Sequence, residues 1–432
     1  MVTIGSTTLP GVQSDVESAS STGVNVSAAA QVGIVGQADL ANGTANANEV
    51  YQVTTPVKAR GLFGDGSMLA ENCVDALTEG AYPVYAVAPE RIAVTGEDLT
   101  GLSSTSGTLA NAPGPEDAAE YAFTVDSTPK TAILTLEDPS TKTPDTDEVY
   151  VNPVSGDFEL DAAPSTSGDV DYSYFDYETA AGVLYDEEGE RLDLVGVLNE
   201  NADAVAGTHA EALQHAGLYE FSVVIAGASP HIPDTTAFTN SYDSSRIQLL
   251  YPARNGAGES FIGAYLGLRA ALGINNSPMW KRLQTQKELA VTLGKSQQED
   301  LVGEKVVPVA NESRGARIVE DLTCVAEDNT EEDAMRQVLH RLIVDYVTEV
   351  TYLVSERFIG ELHTRAARDA LANIISGEMD NLRSLNAITG YSINVEKVDA
   401  MTASVDVGID TIDPLRNILA TITAGEVRTT AA

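Results

Sequence analysis

The chain reads as an α/β core, a mostly parallel sheet with helices. It carries an inserted all-β domain and an α+β C-terminal domain, with extended N- and C-terminal arms. Three observations lead to that fold class. Short apolar strands alternate with helical patterns over residues 28–95 and again over 181–325, the signature of a parallel layer covered by helices. Residues 96–180 break this rhythm with short strands separated by Pro, Gly, Ser and Asp turns. Two apolar helical stripes then lead into alternating strands that run almost to the final residue.

Residues 1–27 are rich in Ser, Thr, Gly and Val and read as an extended arm rather than a packed unit. A first buried strand is expected at Val32–Gly36, a helix from Ser67 to Thr78, and a strand from Pro83 to Val87. The insertion is expected to hold strands at Tyr121–Val125, Thr131–Leu136, Glu148–Val151 and Asp171–Phe175. The core pattern resumes with a helix over Ala202–Ala216, strands at Phe221–Ile225 and Ile247–Leu250, and a helix from Ser260 to Leu272.

The domain at 326–424 opens on Met335, Val338, Leu339, Leu342, Tyr346, Val350 and Leu353, spaced by three and four residues. A second stripe runs through Ala367, Leu371, Ile374, Ile375, Leu382 and Leu385. Each stripe requires one buried helix face. Tyr391–Val395 and Val405–Ile409 alternate with period two, as half-exposed strands do. Ile418–Ile422 reads as a last strand near the chain end, ahead of a tail at 425–432. A strand at a chain end pairs with a neighbouring subunit as readily as with its own, which points to assembly.

The 432 residues suffice for about two to four domains. The hydrophobic fraction of 43% is that of a folded protein, but the formal charge of −39 is extreme. Such self-repulsion destabilises a compact state in ordinary buffer. Molar salt shortens the screening length to roughly 3 Å and removes most of the penalty. The charge therefore reads most simply as that of a halophilic, acidic protein built for a high-salt interior, with a mesophilic acidic protein as the alternative. Without a basic stripe to neutralise phosphates, nucleic acid is not an expected partner. From residue 92 to 245 the only basic side chains are Lys130, Lys142 and Arg191, whereas 19 of the 25 lie from Arg246 onward. The middle of the chain is thus expected to be the most solvated.

No signal peptide is visible at Met1–Gly5, and no run approaches the 18 or so apolar residues of a membrane span. A soluble product with no direct membrane insertion is expected. Cys73, in a helical pattern, and Cys324, in a strand-like one, read as two small buried hydrophobes.

Catalytic signals are weak. His209, His215, His231, His340 and His363 lack the spacing of a helix-borne metal site. Gly61–Gly66 lacks the ending of a phosphate loop and reads as a turn before a helix. Asp186–Asp193 lacks the ligand order of a calcium loop. Tyr172, Tyr174, Phe175 and Tyr177 suggest cross-strand packing more than a sugar-binding face. With 64 acids, close carboxylate pairs arise by chance. No catalytic residue, cofactor or metal is assigned, and the protein is expected not to be an enzyme.

The order of several short motifs resembles that of the tail sheath proteins of myovirus-type contractile-tailed viruses and of contractile injection systems. Pro10-Gly11-Val12 precedes Val32–Gly36 and Gly61–Gly64; Leu77–Gly80 leads to Val84–Val87. Ser244-Ser245-Arg246 runs to Leu250-Tyr251-Pro252 and Ser277-Pro278. The C-terminal block extends from Gly315–Ile318 through Arg341 and Phe358 to the closing strands. Glu361–Thr364 stands where a Pro-Asn pair is common, and Leu322-Thr323-Cys324 replaces the more usual Arg-Thr-Leu.

The resemblance implies a structural subunit that polymerises as sixfold helical rings around a tail tube. Contraction would drive the tube through the host envelope. The implied partners are further copies of itself, a tail tube protein, and baseplate and tail terminator proteins. The implied location is a virion tail assembled in the host cytoplasm, here of a haloarchaeal virus. Inter-subunit strand exchange would involve Val2, Ile4, Pro10 and Val12 of the arm and Ile412, Ile418, Ala420 and Ile422 of the closing strand. The insertion would face outward. Two rival readings are a surface-layer or adhesion module of a halophile and a carboxylate-based hydrolase.

Overall fold

The computed structural model describes residues 30–186, 191–330 and 332–416. The expected arm at 1–27, the strand Ile418–Ile422 and the tail 425–432 lie outside the described residues.

The chain opens with β1 (Val32–Val35), β2 (Tyr51–Val53), α1 (Pro56–Phe63), α2 (Met68–Glu79) and β3 (Val84–Val87). Strands β4 (Glu90–Asp98), β5 (Ser106–Thr108), β6 (Ala122–Val125), β7 (Thr128–Leu134), β8 (Glu148–Val151), β9 (Asp157–Leu160) and β10 (Gly168–Asp176) follow. Helices then alternate with strands: α3 (Tyr177–Tyr185), β11 (Leu194–Val197), α4 (Ala202–Ala216), β12 (Val223–Gly227), β13 (Ile247–Tyr251), α5 (Ile262–Leu272), α6 (Lys295–Gly303), β14 (Val306–Glu312) and β15 (Gly315–Ile318). The chain continues through α7 (Val338–Glu356), α8 (Arg365–Ser384), β16 (Ile388–Lys397) and β17 (Ala403–Thr411).

An eight-stranded sheet runs β15-β14-β13-β12-β11-β1-β3-β2. Its six central strands are parallel, and the edge strands β2 and β15 are antiparallel. Strands β1, β3, β11, β12 and β13 are buried at every position. That explains why they read as continuous apolar runs. One face packs Val32, Ile34, Ile225 and Leu250 against α1, α2 and α5. The other packs Val35, Val195, Val224 and Leu249 against α3, α4 and α6.

Helices α2 and α5 cross closely. A Cβ on Gly263 would collide with the Asn72 carbonyl oxygen, and one on Gly267 with that of Ala76. Buried Asn72 links the pair: its side chain accepts from the Gly263 N–H and donates to the Ser260 carbonyl, both at 2.8 Å.

Strands β4 to β10 form a second, seven-stranded sheet in the order β4-β10-β6-β7-β8-β9-β5. Only β7 and β8 pair in parallel. Strands β4, β5 and β9 are absent from the sequence reading: β4 and β5 are largely exposed edges, and β9 spans four residues. Tyr177 opens helix α3 rather than continuing the aromatic strand, because the Asp176 carboxylate caps the helix there. Cys324 is not on a strand: its stretch is irregular, with its N–H donating to Ile247 O at 2.9 Å. Both cysteines are free and buried, on opposite faces of the large sheet. Burial pushes the Cys324 thiol up to about 12.

Helix α7 is shared between two cores. Val338 and Leu342 pack on the α/β layer, while Leu339, Ile343, Val347, Val350 and Val354 meet α8 and the β16–β17 hairpin. Helix α8 buries Leu371, Ile375, Met379 and Leu382. Ile374, expected in its stripe, is exposed.

Candidate functional site

Two arginines tie the parts of the molecule together. Arg246, just before β13, donates to the Asp345 carboxylate on α7 at 2.8 and 3.1 Å, and to Ser222 O at 3.1 Å. Arg341, one turn before Asp345, donates to the same carboxylate from Nε at 3.0 Å and from Nη2. Burial, the largest influence, pushes the Asp345 carboxyl up, but the two guanidinium groups outweigh it and hold its pKa below the ordinary value. Arg254 forms a bidentate pair with Glu200 at 2.8 and 2.9 Å and reaches Glu116 at 2.8 Å. Glu116 lies between β5 and β6, so this pair joins the second sheet to the core. Asn201 Nδ2 adds a bond to Val154 O at 2.8 Å.

The C-terminal hairpin is a separate two-stranded sheet. Tyr391 pairs with Ile409, Ile393 with Val407 and Val395 with Val405. These six form the half-buried face over α8. Strands β16 and β17 pair only with each other among the described residues, and the outer edge of β16 runs along ten residues. A long free edge is a template for another strand. Next to it, His363 Nδ1 donates to Ala400 O at 3.3 Å and brings the α7–α8 loop to the hairpin turn. Leu362, Val398 and Met401 are exposed there.

Of the residues expected to exchange strands, only Ile412 is described. It follows β17, half-buried, and lines a cavity of about 260 Å³ with Leu339 and Ile343. The stretch after it lies along its own subunit: Asp413 is 3.6 Å from His340, and Arg416 is 3.4 Å from Glu320. Val2, Ile4, Pro10, Val12, Ile418, Ala420 and Ile422 lie outside the described residues.

The weak chemical motifs have structural roles. Gly64 and Gly66, at φ of 86° and 78°, turn the chain from α1 into α2. Asp193 pairs with Arg191 at 2.9 Å and accepts the Gln31 N–H at 2.8 Å. His209 bonds Ser244 Oγ at 2.9 Å, and His215 bonds Glu220 at 2.8 Å. Among the described residues no group of three or more His, Cys, Asp or Glu side chains is placed to hold a metal ion. None of the described helices is long and apolar enough to cross a membrane. Asp345 is the residue the sequence reading misses. Its signal is an acid four residues after Arg341 inside an apolar stripe.

No family model matches the chain, and no curated protein sequence does. Solved structures match over nearly the whole length. The helical sheath of the anti-feeding prophage in its contracted state has 13% identity and a TM-score of 0.58, covering 96% of this chain and 99% of that one. The sheath tail protein of Desulfitobacterium hafniense has 11% identity and a TM-score of 0.56, covering 93% and 100%. A chain of the PVC sheath complex of an extracellular contractile injection system, in its contracted state, has 14% identity and a TM-score of 0.51, covering 98% of each. The chain therefore shares the mixed-sheet fold of contractile sheath proteins.

Proposed function

We propose that this protein is the structural subunit of a contractile sheath. Copies stack as sixfold rings in a helical array around a tail tube, and contraction of the array drives the tube through an envelope. The observation that carries this reading is the fold likeness to a contracted helical sheath over 96% of the chain. The outer edge of β16, a strand that pairs only with β17 among the described residues, supports the mode of joining. A neighbour's segment adds a strand there, and main-chain hydrogen bonds hold subunits while their bodies reorient. Val2, Ile4, Pro10 and Val12 of residues 1–27, with Ile412, Ile418, Ala420 and Ile422, are the proposed contributors.

In the same reading the discontinuous α/β unit and the C-terminal unit form the wall. The seven-stranded sheet is an inserted domain on the outside. The tube, baseplate and terminator proteins are the further partners, in a virion tail or an injection device. The formal charge of −39 supports assembly in a high-salt cytoplasm such as that of a haloarchaeon. No catalytic step is assigned.

Negative-stain microscopy of the purified protein in molar salt tests the proposal. Striated tubes or stacked rings are expected. Persistent monomers at all salt and protein concentrations contradict it.

A further inference from the structure

Along the β15 edge of the large sheet the chain is basic, in a molecule whose formal charge is −39. Residues 280–286 lie beside β15. The Trp280 N–H donates to Ile318 O at 2.8 Å, the Ile318 N–H donates to Lys281 O at 2.9 Å, and Arg282 stands opposite Arg317. Residues 280–288 and 312–317 hold Lys281, Arg282, Lys287, Arg314 and Arg317 against Glu288 and Glu312. The Glu312 carboxylate accepts from Arg282 at 2.5 Å and lies 2.7 Å from Arg317. Lys281, Lys287 and Arg314 are exposed, and their side chains make no hydrogen bond or ion pair among the described residues.

Trp280, the chain's one tryptophan, sits in this strip. It is 59% exposed, with the Arg317 guanidinium 3.8 Å from its ring centroid. Its φ of 61° is a left-handed conformation that bulky residues rarely adopt. Tryptophan and arginine are enriched where the binding energy of protein contacts concentrates. The indole adds contact area that salt does not screen, whereas exposed ion pairs weaken at high ionic strength.

We propose that this strip docks an acidic surface of a second copy of this chain. Charge complementarity names the occupant. Residues 90–176, which carry the seven-stranded sheet, hold 18 acidic side chains against Arg91, Lys130 and Lys142. Each of those three bases is already paired within its own copy, with Glu120, Asp161 and Glu137. The surplus carboxylates of one copy are thus the counter-charge for the basic strip of the next, in a head-to-tail contact. The repeating form of that contact rests on the sheath reading; its chemistry does not.

Because Trp280 is the one tryptophan, its fluorescence reports on this strip alone. The test is acrylamide quenching of the full-length protein from dilute to concentrated solution, with mass followed by sedimentation. As mass rises, quenching is expected to fall and emission to move to shorter wavelength. R314E leaves both Glu312 pairs in place and is expected to raise the concentration needed for association at least about tenfold. In a mixture of isotope-labelled and unlabelled copies, carbodiimide is expected to couple Lys281 or Lys287 to a carboxylate of another copy. Tubes in which Trp280 stays as open to acrylamide as in the monomer overturn the proposal and leave the sheath reading standing. Association that shields Trp280 without forming tubes supports this contact and counts against that reading. A monomer at every concentration overturns both. Lysine couplings confined to one copy, or R314E associating as tightly as wild type, also overturn the proposal.

Discussion

Arg246 and Asp345 stand 99 residues apart in sequence and meet through two buried hydrogen bonds of 2.8 and 3.1 Å. They join the start of a central strand to the helix that carries the C-terminal unit. Arg341 completes the arrangement from the same helix as Asp345. Removing the shared carboxylate leaves two buried guanidinium groups facing each other without compensation. D345A is therefore expected to lose about 3–5 kcal/mol of stability. Urea unfolding of the purified protein measures this, and D369A, at an exposed acid of α8, should stay within about 0.5 kcal/mol of wild type.

Acid sensitivity follows with opposite signs at two positions. The folded pKa of Asp345 lies below its ordinary value of 3.8, so its contribution is complete above that pH. The contribution is lost as pH falls through the lower folded value. Burial instead raises Asp75, on α2, to about 6. Ionising Asp75 costs stability above that pH, and the cost disappears as pH falls from about 6 to 3.8. D75N is expected to be more stable than wild type at pH 7, by on the order of 1 kcal/mol, and to lose that advantage by pH 4. Unfolding curves of both proteins across this range check the sign.

The α2–α5 crossing offers a packing test. G263A places a methyl group against the Asn72 carbonyl oxygen, while the helix gains a better former. The collision wins, because backbone cannot swing aside as a side-chain tip can. A loss of about 1–3 kcal/mol is expected. G377A, on α8 where the added Cβ meets nothing within 4 Å, should be neutral or stabilising.

Much of this fold is legible in the sequence, and each miss has its own physical cause. The central parallel strands announce themselves because both faces are buried, so Val32–Val35 and Val223–Gly227 are nearly unbroken apolar runs. The stripes of α7 and α8 are legible because one face meets a core. Strand β4, Glu90–Asp98, is hidden because most of it is exposed and no strict alternation is imposed. The irregular path of Cys324 is set by backbone bonds to residues 244 and 247, which periodicity does not register. The C-terminal hairpin is partly legible. The hairpin strands follow from alternation, but their separation from the two larger sheets depends on long-range pairing. Arg246 and Arg341 stand in the motifs behind the family resemblance, yet only the structure brings them together on Asp345.

The charge makes a prediction of its own. With 64 acidic and 25 basic residues, repulsion among surface carboxylates opposes the compact state. Raising potassium chloride from about 0.1 M to 1 M shortens the screening length from about 10 Å to 3 Å. The melting temperature of the purified protein is expected to climb across that range. A flat or falling curve removes the case for a high-salt setting.

Helical reconstruction of tubes assembled from the purified protein decides whether neighbours join by strand addition. The β16–β17 hairpin is expected to gain at least one strand from a neighbouring subunit, hydrogen-bonded along Ile388–Lys397. Tubes in which the hairpin remains two-stranded and touches neighbours only through side chains would contradict it.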